Sequence, residues 1–192
     1  MNPIPVETSA RHIHLSPADM ERLCGKGYVL PFKRPLSIPS QFVSDLRLEV
    51  IGPKSSIKNI VVLGPTRSAT QVEVSATDAR ALGVTPPVRE SGDIKNSTPI
   101  TIRGPLGEIV IPEGVIIAKR HIHMSPEEAA YYGVKDKQVV AVKVKSADRS
   151  LIFGDVTVRV RSDFNLTMHI DTDEANAAGL SGEVYGEILF DF

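Results

Sequence analysis

Four of the five histidines in this 192-residue chain belong to two copies of one short motif. The copies are Arg11-His12-Ile13-His14-Leu15-Ser16-Pro17 and Arg120-His121-Ile122-His123-Met124-Ser125-Pro126. In an extended segment, residues i and i+2 point to the same face, so each copy should present two imidazoles together. Neutral imidazole is a common zinc ligand. The duplication therefore predicts two strands that each supply half of a metal site.

Two other junctions each add one residue that can bind a metal. Val72-Glu73-Val74-Ser75 and Met168-His169-Ile170-Asp171 lead into predicted helices, as both motif copies do. In all four junctions, the residue two positions before the helix cap is a potential ligand: His14, Glu73, His123 and His169.

The predicted ligands suffice for two ions with three protein ligands each: His12, His14, Glu73, His121, His123 and His169. Zinc sites with three protein ligands keep an open coordination position and act in catalysis, whereas four-ligand sites are structural. A single histidine at a strand end is more often structural, but the duplication favours metal binding. The spacing leaves open which ligands bind which ion.

A loop ahead of Glu73 has the composition of an oxyanion site. Residues 63–70 include Gly, Thr and Ser together with Arg67, which offer backbone donors, hydroxyls and a guanidinium fork. An ordinary turn is the alternative, but the closeness of Arg67 to Glu73 in sequence makes it the predicted phosphate-binding residue. Lys33 and Arg34 lie in a proline-rich stretch that could contact an anionic cofactor.

The composition limits the classes of function. A formal charge of −1 and no long run of like charges argue against a nucleic-acid groove or an anionic membrane surface as the partner. The chain contains no apolar stretch of the roughly 20 residues that a membrane span requires, and no secretory signal is visible. The single cysteine, Cys24, is interpreted as structural and fits a reducing compartment.

Strand patterns dominate the chain and predict a mainly β fold built from closed barrels. The predicted strands are Leu46–Ile51, Ile57–Leu63, Gln71–Val74, Ile100–Ile102, Glu108–Ile111, Gly114–Ala118, Gln138–Val144, Ser150–Phe153, Thr157–Val160 and Val184–Phe190. Short helices should follow each of the four ligand junctions. In the two motif copies, Ser16 and Ser125 are typical N-caps followed by proline.

These motifs resemble the PduL-type phosphotransacylases, also called phosphate propanoyltransferases. The resemblance is carried by segments that run in order over nearly the whole chain: 9–16, 64–68, 72–75, 118–125 and 169–176. It implies two small, pseudo-duplicated β-barrels with short capping helices. One barrel would comprise residues 1–10 and 119–192, and the other residues 11–118 with an insertion at 25–45.

The resemblance also implies the roles of individual residues. Two zinc ions would be held by the six predicted ligands, and Arg67 would hold phosphate. Coenzyme A would contact five further positions: Ser9, Lys33, Arg34, Leu63 and Asn176.

The implied activity is transfer of a short acyl group, acetyl or propanoyl, between coenzyme A and phosphate, by direct zinc-assisted transfer. A homodimer is expected, located in the cytoplasm or in the lumen of a bacterial microcompartment such as one for propanediol degradation. The N-terminal targeting extension of many members is not visible before the first motif. A dinuclear zinc phosphoester hydrolase, a non-enzymatic metal- or nucleotide-binding barrel and a non-haem iron enzyme are the alternatives.

Overall fold

A computed structural model describes residues 3–190, which divide into two compact units. The Glu73 unit comprises Arg11–Leu36 and Ser40–Ala118, and the His169 unit comprises residues 3–10, Ser37–Pro39 and 119–190. Positions 1, 2, 191 and 192 of the barrel predicted for residues 1–10 and 119–192 lie outside the described residues.

The described residues form fourteen strands and four short helices. The strands are β1 (Ile4–Thr8), β2 (His12–His14), β3 (Phe32–Pro35), β4 (Phe42–Ile51), β5 (Ser56–Gly64), β6 (Gln71–Glu73), β7 (Val88–Arg89), β8 (Thr98–Gly104), β9 (Gly107–Ala118), β10 (His121–Met124), β11 (Val139–Val144), β12 (Leu151–Val160), β13 (Thr167–Ile170) and β14 (Val184–Leu189). The helices are α1 (Pro17–Cys24), α2 (Ala76–Leu82), α3 (Pro126–Tyr132) and α4 (Thr172–Ala177).

Each unit contains a closed ring of six strands. In the Glu73 unit the ring runs β2-β5-β4-β8-β9-β6 and returns to β2, while β3 and β7 pair outside it. In the His169 unit it runs β10-β12-β11-β14-β1-β13 and returns to β10. The prediction of a mainly β fold with two closed barrels and short capping helices is confirmed.

The two rings share one pairing pattern. Each His-Ile-His strand lies parallel to one neighbour, β5 or β12, and antiparallel to the strand carrying the third predicted ligand, Glu73 on β6 or His169 on β13. That third-ligand strand then pairs in parallel with β9 or β1. Each of these last strands precedes the other unit's His-Ile-His strand in sequence. The duplication seen in the motifs therefore extends to the whole topology.

Two observed strands each join a pair of predicted ones. Strand β9 covers Glu108–Ile111 and Gly114–Ala118, and Gly114, the first residue of the second segment, has φ 143. A Cβ at Gly114 would come within 2.7 Å of the Thr70 carbonyl oxygen, so glycine is required there. Strand β12 likewise contains Asp155 at φ 53, beside a register shift. Such bulges interrupt the alternating pattern without ending the strand.

Alternation along the His-Ile-His strands separates core from site. Ile13 and Ile122 are fully buried, each in the hydrophobic core of its own unit. Burying such a side chain stabilises the fold by about 1.5–3 kcal/mol. Because neighbouring side chains in a strand point to opposite faces, the core contact of each isoleucine turns both flanking histidines to the other face.

The four helices begin at the predicted caps. The Ser16 side chain accepts a hydrogen bond from the Asp19 backbone N–H at 3.1 Å. Full capping boxes begin the other three helices, at Ser75, Ser125 and Asp171. Across residues 3–190, every helix is too short or too polar to cross a bilayer.

Candidate metal centres and anion site

The Glu73 unit brings His12, His14 and Glu73 together as the Glu73 triad. Antiparallel pairing of β2 with β6 sets His12 opposite Glu73. Each side chain offers one ligand atom, and these atoms lie within 4.8 Å of one another. His12 Nε2 is 3.4 Å from Glu73 Oε2, and all three residues are buried. This is the size of a cluster that one ion can fill.

The His169 unit builds a second cluster, the His169 triad, from His121, His123 and His169. Pairing of β10 with β13 sets His121 opposite His169, in the same register as the first triad. The ring centroids are 4.6 Å apart for His121 and His123, 5.3 Å for His121 and His169, and 5.0 Å for His123 and His169. The structure thus sorts the six predicted ligands into two sets of three.

The second histidine of each strand carries the clearest sign that a metal fits. Among residues 3–190, Nδ1 of His14 and both ring nitrogens of His123 are buried with no hydrogen-bond partner. Leaving a buried polar atom unsatisfied costs about 1–3 kcal/mol, and a bound ion would remove that cost. Neutral imidazoles and one carboxylate are donors suited to zinc.

Burial keeps these two histidines in the form that binds metal. Desolvation lowers the pKa of His14 to about 2, helped by the neighbouring His12 and by the charge of Arg67. Desolvation likewise lowers the pKa of His123 to about 2, helped by His121 and His169. Both side chains are therefore neutral at neutral pH, and an ion does not have to displace a proton from them.

His121 has its tautomer set by the backbone. Its Nδ1 lies 2.8 Å from the carbonyl oxygen of Lys119, which can only accept, so the contact assigns the proton to Nδ1. The lone pair is then on Nε2. Metal-binding histidines commonly orient their second nitrogen in this way.

Glu73 is held by two neutral side chains at one of its oxygens. The Ser91 hydroxyl and the Gln71 amide each donate a hydrogen bond to Glu73 Oε1 at 2.7 Å. Burial favours the protonated form of Glu73, but nearby His12 and the Ser91 hydrogen bond hold its pKa below its usual range. The carboxylate is therefore ionised, with Oε2 directed toward His12.

Arg67 reaches the same network from the loop after β5. Its backbone N–H donates to the Leu15 carbonyl at 2.9 Å, and its guanidinium NH1 donates to Ser91 Oγ at 3.0 Å. Its charge also contributes to the low pKa of His14. The structure thus brings the predicted phosphate-binding residue to the Glu73 triad.

Two of the predicted coenzyme A contacts lie in the His169 unit. Ser9 follows β1, and its backbone N–H donates to the Ile170 carbonyl at 2.8 Å. Asn176 lies in α4, the helix that follows His169. Ser9 is therefore bonded to the strand that carries His169, and Asn176 is part of the helix that follows this strand.

The other three predicted contacts lie in the Glu73 unit. Lys33 and Arg34 are exposed on β3, where Lys33 forms an ion pair with Asp45 at 2.9 Å. Leu63 is buried on β5 and pairs with His14 in the strand register. Leu63 is thus beside a triad residue, whereas Lys33 has its charge matched within its own hairpin.

The arginine before each His-Ile-His strand has a structural partner. Arg11 forms an ion pair with Asp78, and Arg120 Nε lies 2.8 Å from Glu174. Asp78 and Glu174 are the acidic residues of the capping boxes that begin the helices after the third ligands. Each arginine therefore fastens the helix that follows the third ligand to the strand that carries the first two.

Gln71 and Ser91 belong to the site but were not predicted from the sequence. Gln71 could have been found, because it precedes Glu73 by two residues in one strand and so shares its face. Ser91 lies 18 positions beyond Glu73. No local pattern marks it, and only the folded chain brings its hydroxyl to the carboxylate.

Comparison with known proteins gives one consistent result. A family model described as phosphate propanoyltransferase matches residues 5–181. A phosphate propanoyltransferase of Thermotoga maritima is 56% identical over 178 residues, which cover 93% of this chain and 85% of that protein. Those of Shewanella putrefaciens and Salmonella typhimurium are 51% and 48% identical, covering 93% and 92% of this chain and 84% of each relative.

Proposed function

The chain belongs to the phosphate propanoyltransferase family, and on that premise we propose that it moves a short acyl group, acetyl or propanoyl, reversibly between coenzyme A and inorganic phosphate. The single observation that carries the acyltransferase assignment is the match over residues 5–181, together with relatives about half identical over most of the chain. The expected resemblance to this family is thereby confirmed.

Two zinc ions are part of the proposal. One would be held by His12, His14 and Glu73, and the other by the three histidines of the His169 triad. The buried, neutral imidazoles and the ionised Glu73 support this assignment. When bound, zinc supplies Lewis-acid polarisation of a substrate oxygen.

Arg67 is the proposed phosphate-binding residue. Its guanidinium offers donors in a planar fork that matches two oxygens of a phosphate. NH1 of this guanidinium donates to the Ser91 hydroxyl, which holds the side chain beside Glu73. Holding phosphate in a fixed geometry replaces a bimolecular encounter and supplies much of the rate enhancement.

The proposed reaction needs no acyl-enzyme. A phosphate oxygen forms a bond to the thioester carbonyl carbon, the carbon–sulfur bond breaks, and the proton from hydrogen phosphate ends on the sulfur of coenzyme A. Cys24 is a poor acyl carrier because burial raises the pKa of its thiol. The products are acyl phosphate and coenzyme A, and the reverse reaction follows the same path.

The contacts to coenzyme A complete the proposed site. Ser9, Leu63 and Asn176 would contact it, together with Lys33 and Arg34, which are exposed enough to bind an anion. Use of Lys33 requires its ion pair with Asp45 to open. A division into barrels at residues 1–10 with 119–192 and at 11–118, a homodimer and a location in the cytoplasm or a bacterial microcompartment belong to the same proposal and rest on the family resemblance.

A direct test measures release of the coenzyme A thiol from propanoyl-CoA and acetyl-CoA, with a thiol reagent, at several phosphate concentrations. Acyl phosphate is trapped with hydroxylamine as the second product. We expect thiol and acyl phosphate to appear in equal amounts, only with phosphate present, and to stop after chelation and resume with zinc. Turnover of p-nitrophenyl phosphate without coenzyme A would instead support the phosphoester hydrolase, and full activity in the metal-free protein would refute the zinc assignment.

A further inference from the structure

Ser91 lies at the centre of the hydrogen-bond network that joins Arg67 to Glu73. A serine hydroxyl has one proton to donate and two lone pairs that accept. Here the proton goes to Glu73 Oε1 at 2.7 Å, while Arg67 NH1 and Gln71 Nε2 each donate to the oxygen at 3.0 Å. All three capacities of the hydroxyl are used, so its orientation is fixed.

Gln71 closes the network on its other side. Its amide nitrogen donates to Glu73 Oε1 and to Ser91, while its amide oxygen accepts from the Gly92 backbone N–H at 2.8 Å. Gln71 is 2% exposed and Glu73 is 7% exposed, so water has little access to replace these bonds. The two residues that follow Glu90 in the chain, Ser91 and Gly92, are thereby fastened to β6.

The two oxygens of Glu73 have different tasks in this arrangement. Oε1 receives both donated bonds, whereas Oε2 lies 3.4 Å from His12 Nε2 within the triad. A carboxylate that binds a metal through one oxygen is commonly held by hydrogen bonds at the other, and loss of such partners costs about 10- to 100-fold in metal affinity or activity. The network thus fixes the direction of the ligand.

We propose that Ser91 is a positioning residue that couples the phosphate-binding guanidinium of Arg67 to the metal ligand Glu73. One hydroxyl sets the position of both groups, so phosphate binding and metal binding at the Glu73 triad depend on the same bond. This inference rests on the proposed function of Arg67 and Glu73. It assigns no contact between Ser91 and the reacting atoms.

The test compares Ser91→Ala with Ser91→Thr in the 192-residue protein. Alanine removes all three hydrogen bonds, whereas threonine keeps a hydroxyl. For Ser91→Ala we expect the phosphate KM to rise about 10-fold, and the affinity of the Glu73 triad for Co²⁺ to fall about 10-fold in competition with a chromophoric chelator. Ser91→Thr should restore both values to within about threefold of the unchanged protein.

Ser97→Ala is the matched control, because Ser97 is buried in the same unit and its hydroxyl accepts from the Gly114 backbone N–H at 2.7 Å. It should change the thermal midpoint without moving the phosphate KM. Unchanged phosphate KM and Co²⁺ affinity in Ser91→Ala would overturn the inference, as would a change in only one of the two. Ser91→Cys, which keeps the size but donates weakly, gives the same comparison if alanine prevents folding.

Acyl transfer by the unchanged protein distinguishes failure of this inference from failure of the proposed function. If the unchanged protein shows no phosphate-dependent acyl transfer, the proposed function fails, and so does the coupling to phosphate. If transfer occurs but Ser91→Ala behaves like the unchanged protein in both measurements, only the role of Ser91 fails.

Discussion

The two triads share a backbone scaffold but have different surroundings. In both, a His-Ile-His strand pairs antiparallel with the strand that carries the third ligand, and an arginine fastens the following helix. Around Glu73, Gln71 and Ser91 form a polar network. Around His123, the ring of Phe164 stacks at a centroid distance of 4.0 Å. One site is lined for hydrogen bonding and the other for stacking.

The contrast extends to a pair of equivalent arginines. Arg67 donates its backbone N–H to the Leu15 carbonyl, and Arg161 donates its own to the Met124 carbonyl at 3.0 Å. Leu15 and Met124 each directly follow the second histidine of a His-Ile-His motif. The two arginines therefore lie in equivalent loops, after β5 and after β12, although no sequence motif connects them.

The side chains of these two arginines have different hydrogen-bond partners. Arg67 donates to the neutral Ser91, whereas Arg161 forms two hydrogen bonds with the carboxylate of Asp163, at 2.9 and 2.6 Å. Arg161 also lies over the Phe164 ring at 4.7 Å. The positive charge of Arg161, near the His169 triad, is matched by the Asp163 carboxylate, whereas Arg67, near the Glu73 triad, has a neutral hydroxyl among its partners. The two units therefore share a backbone topology, whereas the loops that carry Arg67 and Arg161 differ in their electrostatics.

The largest expected effect comes from removing one ligand in each triad. Glu73→Gln and His169→Gln should each lower the metal content from about two ions to about one per chain, since each variant empties one set of three ligands. Acyl transfer should fall by more than the roughly 100-fold that outer-partner changes can cause. Elemental analysis and the thiol-release assay measure both. Retention of both ions in either variant would show that the triads are not the metal sites.

Exchanging the equivalent arginines for alanine tests the electrostatic difference. Arg67→Ala should lower kcat/KM for phosphate about 100-fold, the size expected for a lost donor to developing or transferred charge. Arg161→Ala should lower it by less than about fivefold, because Arg161 and Asp163 form an exposed ion pair. Steady-state kinetics with varied phosphate measure both values. Equal losses in the two variants would contradict a division of roles between the loops.

Much of the fold could be predicted from local patterns because its signals are local. The four caps and the glycines after three of the helices are encoded within a few residues, and all four short helices follow the junctions where they were predicted. The strand pattern missed the short strands β1, β3 and β7, and it broke at bulges such as Gly114, where one inserted residue interrupts the alternation but backbone pairing continues.

The division of the ligands into triads could not be predicted from spacing. His12 and Glu73 are 61 positions apart, and only the pairing of β2 with β6 sets them opposite each other. The placement of β1 and β9 could not be predicted from spacing either. Each strand precedes the other unit's His-Ile-His strand in sequence, and only long-range pairing assigns it to its own ring. Ser91 and Phe164 carry no motif, so their contacts with Glu73 and His123 appear only in the folded chain.

Substitution of Phe164 should have a smaller effect, confined to the His169 triad. Phe164→Leu keeps an apolar side chain but removes the ring that stacks on His123, an interaction worth about 0.5–1.5 kcal/mol. In the Glu73→Gln background, where the His169 triad is the remaining set of three, Co²⁺ affinity should therefore fall about threefold to tenfold. Phe164→Tyr keeps the ring and should leave the affinity within about twofold. An unchanged affinity in Phe164→Leu would mean that stacking does not orient His123.

The smallest effect should come from removing the arginine ion pair that both units share. Arg11→Met and Arg120→Met keep much of the apolar side chain but leave Asp78 or Glu174 without its ion pair, while both carboxylates keep their capping bonds to the backbone. Each change should lower the free energy of unfolding by about 1 kcal/mol, measured by urea titration of the metal-free protein. Arg22→Met, whose side chain is 61% exposed, is the control and should cost less than about 0.5 kcal/mol. A loss confined to one of the two arginines would show that the units differ in their scaffold as well as in their loops.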